Sequence, residues 1–130
     1  MNKQGTQNIL RGEITMHYTL LFYETPEEFS HRNDPLKQQD YMAGWAHYVK
    51  ALRDAGIVVS SSGLYPPETA ASLRRQGGEM LVQDGPITET KEQLGGFFVI
   101  DVPDLDTALE WASRCPNNAV EVRQNIPPIK

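Results

Sequence analysis

The chain has a single cysteine, Cys115, among 130 residues. That excludes an internal disulfide framework and any multi-cysteine metal site. No apolar run approaches the roughly 20 residues that a membrane-spanning helix needs. Basic residues are in the minority: twelve Lys and Arg face seventeen Asp and Glu, a formal net charge of −5. An acidic chain without a basic block is poorly suited to binding DNA or RNA through phosphates, or to docking on an anionic membrane surface. Residues 1–15 are polar and lack the apolar stretch of about 7–15 residues found in a signal peptide. With one cysteine, this points to a cytoplasmic protein.

The pattern changes at Met16. The expectation is an N-terminal extension over residues 1–15, carrying Lys3, Arg11 and Glu13, followed by one domain over 16–130. HYTLLFYE is rich in aromatic, aliphatic and β-branched residues and reads as a strand at about 16–23. Residues 24–34 read as a polar connection. Asp34-Pro35 resembles a helix start. Tyr41, Trp45, Tyr48, Val49 and Leu52 then form one apolar stripe at helical spacing, predicting a helix over about 36–55, with Gly56 just past its end. A strand at about 57–63 is stopped by Pro66-Pro67. TAASLRR, a turn at Gln76-Gly77-Gly78 and EMLVQDG read as a β-hairpin. Asp84-Gly85-Pro86 closes it with turn chemistry, and residues 87–94 form a charged connection or short helical turn. A strand over about 96–102 follows, then a helix capped by Asp104 and ended by Pro116, then a last strand, NAVEVRQ.

With the hairpin set aside, the order is β-α-β-β-α-β, so the expected class is α+β, a ferredoxin-like protomer with an inserted β-hairpin. Two helices cover only one face of such a sheet. The first strand alternates Tyr18, Leu20 and Phe22 against His17, Thr19 and Leu21, so neither face is fully polar. A homodimer that buries the uncovered face is the expected assembly.

The segment LVQDGPITETKEQLGGFFVIDVPDLDTALEWASRCP resembles the signature block of the YCII-related proteins of the DGPF type. MHYTLLFYE resembles that family's first strand, and LRDAGIVVSSSGLYPP its passage from helix to strand. The likeness covers about residues 16–124. Ile87 stands where the family usually has Phe. The resemblance implies a ferredoxin-like protomer in a dimeric α/β barrel, with clefts between sheet and loops. It also implies an incompletely characterised biochemistry. Some such proteins accompany alternative sigma factors, and more distant relatives include proposed enzymes with a His–Asp pair and a subgroup linked to dehydrochlorination. No residues here can be matched to that His–Asp pair one by one.

Several residues are candidates for chemistry. Asp84 could hold its turn by accepting backbone N–H groups, or stand at a cleft mouth as a general base or substrate anchor. Glu89, Lys91 and Glu92 could orient an anionic or phenolic substrate, or form a solvated loop. Tyr18 and Tyr65 could turn phenols into a cleft, or pack with their hydroxyls at the rim. The candidate site is therefore Asp84 as the catalytic group, with Tyr18, Tyr65, Glu89 and Lys91 binding. His17, His31 and His47 show no metal-ligand spacing. Cys115 lies at a helix C-terminus, where the macrodipole disfavours a thiolate. Neither Gly77-Gly78 nor Gly95-Gly96 matches a phosphate-binding loop. No cofactor or metal is implied. The functions left are small-molecule binding in a dimer cleft, with an accessory role in sigma-factor regulation through protein contact as one form of it; a metal-independent enzyme, lyase or dehydrochlorinase-like, using Asp84 with tyrosines; and an interaction module.

Overall fold

The computed structural model describes residues 16–127, so the expected extension over 1–15 lies outside the described residues. The elements in order are β1 (His17–Glu24), α1 (Pro26–Ser30), α2 (Gln38–Asp54), β2 (Val58–Gly63), a 3₁₀ turn (Pro67–Thr69), β3 (Ala71–Gln76), β4 (Glu79–Asp84), β5 (Gln93–Asp101), α3 (Leu105–Ser113) and β6 (Ala119–Gln124). Four strands make one sheet in the order β2-β5-β1-β6, and all neighbours are antiparallel. The order is compatible with a ferredoxin-like fold.

The core lies on one side of this sheet. Tyr18, Leu20 and Phe22 of β1 are buried together with Phe98 and Ile100 of β5, Tyr48 and Leu52 of α2, and Ala108 and Ala112 of α3. The period-2 alternation of β1 therefore selects the helix-covered face. The intervening residues His17, Thr19, Leu21 and Tyr23 are only half-buried. Phe22 sits at the centre of an aromatic cluster, its ring edge-to-face with Trp45 at 5.1 Å and Phe98 at 6.0 Å.

β3 and β4 form a separate two-stranded sheet, and nearly all their residues are exposed. Their two-residue loop, Gly77-Gly78, has both φ angles positive, at 57° and 84°. That is the backbone of a type I′ turn, which matches strand twist and which glycine adopts without strain.

Two local features differ from the sequence expectations. The stretch 24–34 is not a plain connection, because it contains α1. Thr25 caps that helix: its hydroxyl accepts the Glu28 N–H, and the Glu28 carboxylate accepts the Thr25 N–H at 2.8 Å. The reciprocal pair satisfies two otherwise orphaned donors. Asp34 does not start α2 directly. Its carboxylate accepts the Leu36 N–H at 2.9 Å, closing a lead-in turn, and α2 begins at Gln38.

Candidate functional site

On β1 the core-facing series continues past Phe22 to Glu24, whose side chain is only 2% exposed. A carboxylate out of water costs several kcal/mol unless it is paired and hydrogen-bonded. The pairing comes from the segment following α1. Arg32 lies just beyond that helix, its guanidinium 4.8 Å from the centre of the Phe29 ring. Arg32 Nη2 donates to Glu24 Oε1 at 3.1 Å. The hydroxyl of Tyr41, from the first turns of α2, donates to Glu24 Oε2 at 2.7 Å. Arg32 Nε in turn donates to the Tyr41 oxygen at 3.2 Å. Nη2 also reaches the Gly95 carbonyl, and Nη1 the Leu64 carbonyl. Both oxygens of Glu24 are thus occupied, and Arg32 ties β1, α1, α2, β5 and the end of β2 to one point.

This network depends on Gly95. The register between β1 and β5 shifts between Phe22 and Tyr23: Phe22 faces Gly96 and Tyr23 faces Leu94, which leaves Gly95 as a bulge residue with no partner on β1. A side chain on Gly95 would place its Cβ 3.2 Å from both Arg32 Nη2 and Glu24 Oε1. Gly96 is constrained as tightly, since a Cβ there would lie 3.0 Å from the Ser62 carbonyl oxygen.

The same small residues open a cavity. Beneath α2 the sheet presents Ser61, Ser62 and Gly63 of β2 and Gly95 and Gly96 of β5, none bulkier than a hydroxymethyl group. Trp45 and Val49 above them pack sideways against the core, with Phe22 at one edge of the Trp45 ring, and the space over the small residues is left open. The result is a cleft of about 360 Å³, bounded by Phe22 and Phe98 from the sheet and by Met42, Trp45 and Val49 from α2. The Glu24–Arg32–Tyr41 network forms its polar end, and Arg53 of α2 also lines it. The volume falls in the range of about 300–1,000 Å³ usual for small-ligand sites, as does the combination of apolar walls with a few placed polar groups.

The pKa of Tyr41 is pushed up to about 12, by burial first and then by the hydrogen bond and charge of Glu24, with Arg32 acting in the opposite sense. Tyr41 therefore keeps its proton near neutrality and serves as a donor. Burial also raises Tyr48, whose hydroxyl donates to the Trp111 carbonyl at 2.8 Å. The Cys115 thiol is raised chiefly by burial, so it is held away from the thiolate form. No group of three or more His, Cys, Asp or Glu side chains arranged to hold a metal occurs among the described residues.

A model of the YCII-related domain matches residues 16–127. The chain belongs to the YCII-related domain family. A relative, an uncharacterized protein of Rhizobium meliloti (strain 1021), is 38% identical over 105 residues, covering 78% of this chain and 82% of that protein. The whole YCII-related domain thus spans the sheet, both long helices, the hairpin and the cleft.

The residues singled out from the sequence lie elsewhere. Tyr18 is packed in the core. Tyr65 is 84% exposed, ahead of Pro66. Asp84 ends β4 with an exposed side chain, paired in register with Ala71. The turn after it is held by Gly85 N–H to the Ala70 carbonyl at 2.7 Å and by the Ser72 hydroxyl to the Gly85 carbonyl, rather than by the Asp84 carboxylate. Glu89 is exposed on the connection to β5, and Lys91 borders a shallow hollow with Tyr23 and Glu121. None of the five lines the cleft. Glu24, Arg32 and Tyr41 were not singled out. A carboxylate continuing the Tyr18, Leu20, Phe22 series was the available signal for Glu24, and Thr25-x-x-Glu28 was the signal for the helix that delivers Arg32.

Arg32→Met leaves Glu24 buried without its counter-charge and is expected to lower the unfolding free energy by about 3–5 kcal/mol. Adding Glu24→Gln should recover part of that loss in urea denaturation. A loss below about 1 kcal/mol for the single variant, the value of an exposed pair, would contradict the account.

Tyr41 also makes a pH prediction. Its folded pKa lies above that of the unfolded chain, and Tyr48 is displaced in the same direction. The unfolded chain therefore loses these protons first, so stability is held below about pH 10 and declines as pH rises towards 12. Denaturation midpoints across that interval should fall, and less steeply in Tyr41→Phe. A profile that Tyr41→Phe leaves unchanged would contradict the assignment.

Proposed function

We propose that this YCII-related protein binds a small, largely apolar organic molecule in the cleft between α2 and the β2–β5 side of the sheet. The observation carrying this reading is an open apolar cleft with a costly buried ion pair at one end. A core made only for stability would fill the space above Ser61–Gly63 and Gly95–Gly96 with side chains, because lost packing contacts are destabilising. It would also replace Glu24 and Arg32 with apolar residues, which is often neutral or stabilising. Here both opportunities are forgone at one place.

Binding is favoured over acid–base catalysis by the state of the polar groups. Glu24 accepts hydrogen bonds on both oxygens, and Tyr41 holds its proton. The enzyme alternative built on Asp84 with tyrosines gains no support from geometry, since Asp84, Tyr18 and Tyr65 do not share the cleft.

The functional unit in this proposal is a homodimer of ferredoxin-like protomers with inserted hairpins, arranged as a dimeric α/β barrel. Support comes from the half-buried side of the sheet, where Leu21, Tyr23, Phe97 and Val99 are opposite the helix-covered core. Apolar surface of that kind contributes most when a partner removes it from water. Sedimentation equilibrium at micromolar concentration should give twice the chain mass, with Leu21→Lys shifting it towards monomer. A wild-type monomer would refute the dimer.

Ligand binding is tested by calorimetry with 2-naphthalenemethanol, a neutral aromatic probe. The wild type should bind with a negative heat-capacity change, the mark of apolar burial. Met42→Trp, which adds bulk at an exposed cleft-lining position, should weaken binding at least tenfold. No binding by the wild type, or equal binding by Met42→Trp, would overturn the proposal.

A further inference from the structure

The charges lining the cleft are Glu24, Arg32 and Arg53. The first two neutralise each other in the buried pair, and four donor contacts of Arg32 are already made to Glu24, Tyr41, Leu64 and Gly95. An anion entering the polar end would therefore meet a compensated guanidinium and a carboxylate. Arg53 is different. Its side chain is exposed and makes no hydrogen bond or ion pair among the described residues. The nearby Lys50 is committed to Asp54 at 2.7 Å, so the neighbouring acid is already paired and Arg53 keeps its charge free. The cleft thus carries one uncompensated positive charge, although the chain as a whole is acidic.

The position of that charge also matters. Tyr41, Trp45, Val49 and Arg53 follow one another at intervals of four along the cleft-facing side of α2. At 1.5 Å per residue, the Tyr41 and Arg53 backbones stand about 18 Å apart along the helix axis. Between them lie the indole of Trp45, the thioether of Met42 and the ring of Phe22. A ligand laid along this stripe would have an apolar body in the middle and an acid at the Arg53 end.

We infer that the cleft selects apolar monoanions, aromatic or alkyl carboxylates, with the carboxylate held by the Arg53 guanidinium and the body between α2 and the glycine-rich floor. The planar guanidinium offers a two-pronged match to a carboxylate. The helix C-terminus nearby opposes an anion through its dipole, so without Arg53 an acid has no advantage over a neutral ligand. This inference rests on the cleft being a binding site, as proposed above.

The test compares 2-naphthoate with 2-naphthalenemethanol, which share the ring system and differ in charge, using calorimetry on the full chain at about 50 mM salt, where screening is modest. The wild type should prefer the carboxylate by about tenfold. Arg53→Gln should bring the two affinities together, and Arg53→Lys should restore part of the preference, with all three proteins equal in thermal midpoint without ligand. If the alcohol binds but the carboxylate has no advantage, or if Arg53→Gln keeps the preference, the charge assignment is overturned while the cleft remains a binding site. If neither compound binds, both readings fall together.

Discussion

The buried Glu24 carboxylate sets the conditions for much of what surrounds it. A charge at that depth requires a counter-charge, a second hydrogen-bond donor and a backbone that leaves room for both. Arg32 provides the first, and its placement depends on the five-residue helix α1 and the capping box at its start. Tyr41 provides the second, from the start of α2. Gly95 provides the third, as a bulge residue over which the ion pair lies. Removing Arg32 or Tyr41 leaves an oxygen of the buried Glu24 carboxylate without its donor, and uncompensated burial of this kind is among the larger single penalties in folded proteins.

The cleft follows from the same arrangement. The bulge and the run Gly95-Gly96 keep β5 free of side chains where it faces α2, and Ser61–Gly63 does the same on the adjoining strand. Trp45 consequently packs on Phe22 at one side of this floor and Met42 stays exposed beside it, with no side chain rising from the floor between them. The architecture is that of a YCII-related domain, and in this chain the cleft lies between α2 and the small residues of β2 and β5. The polar end is internally balanced, and the free charge sits at the far end of the helix.

Much of the fold was legible because it is local. The alternation in HYTLLFYE, the three-and-four spacing from Tyr41 to Leu52, the Gly77-Gly78 turn and the Asp104 cap each carry their own signal, and Asp104 does accept the Thr107 N–H at 2.8 Å. The candidate site was not legible by the same means. Glu24 becomes notable only when it shares a face with Leu20 and Phe22, and it fell at the boundary between a strand and a polar stretch. Arg32 and Tyr41 are nine residues apart and meet Glu24 only through tertiary packing. Tyr41 also fits an apolar helical stripe, so its hydroxyl carried no separate signal. Conversely, Asp84 drew attention through its turn sequence, yet backbone and Ser72 bonds hold that turn. Spacing reports on single elements, whereas this site is assembled from three strands, one helix and the segment following another.

The most direct test of the account is an amide chemical-shift titration of the isotope-labelled full chain with 2-naphthoate. Saturable shifts are expected at Ser61–Gly63, Gly95, Gly96 and the Trp45 indole N–H, with the β3–β4 hairpin unmoved. Shifts centred on the Asp84 turn or the hairpin, or none at millimolar ligand, would contradict the account.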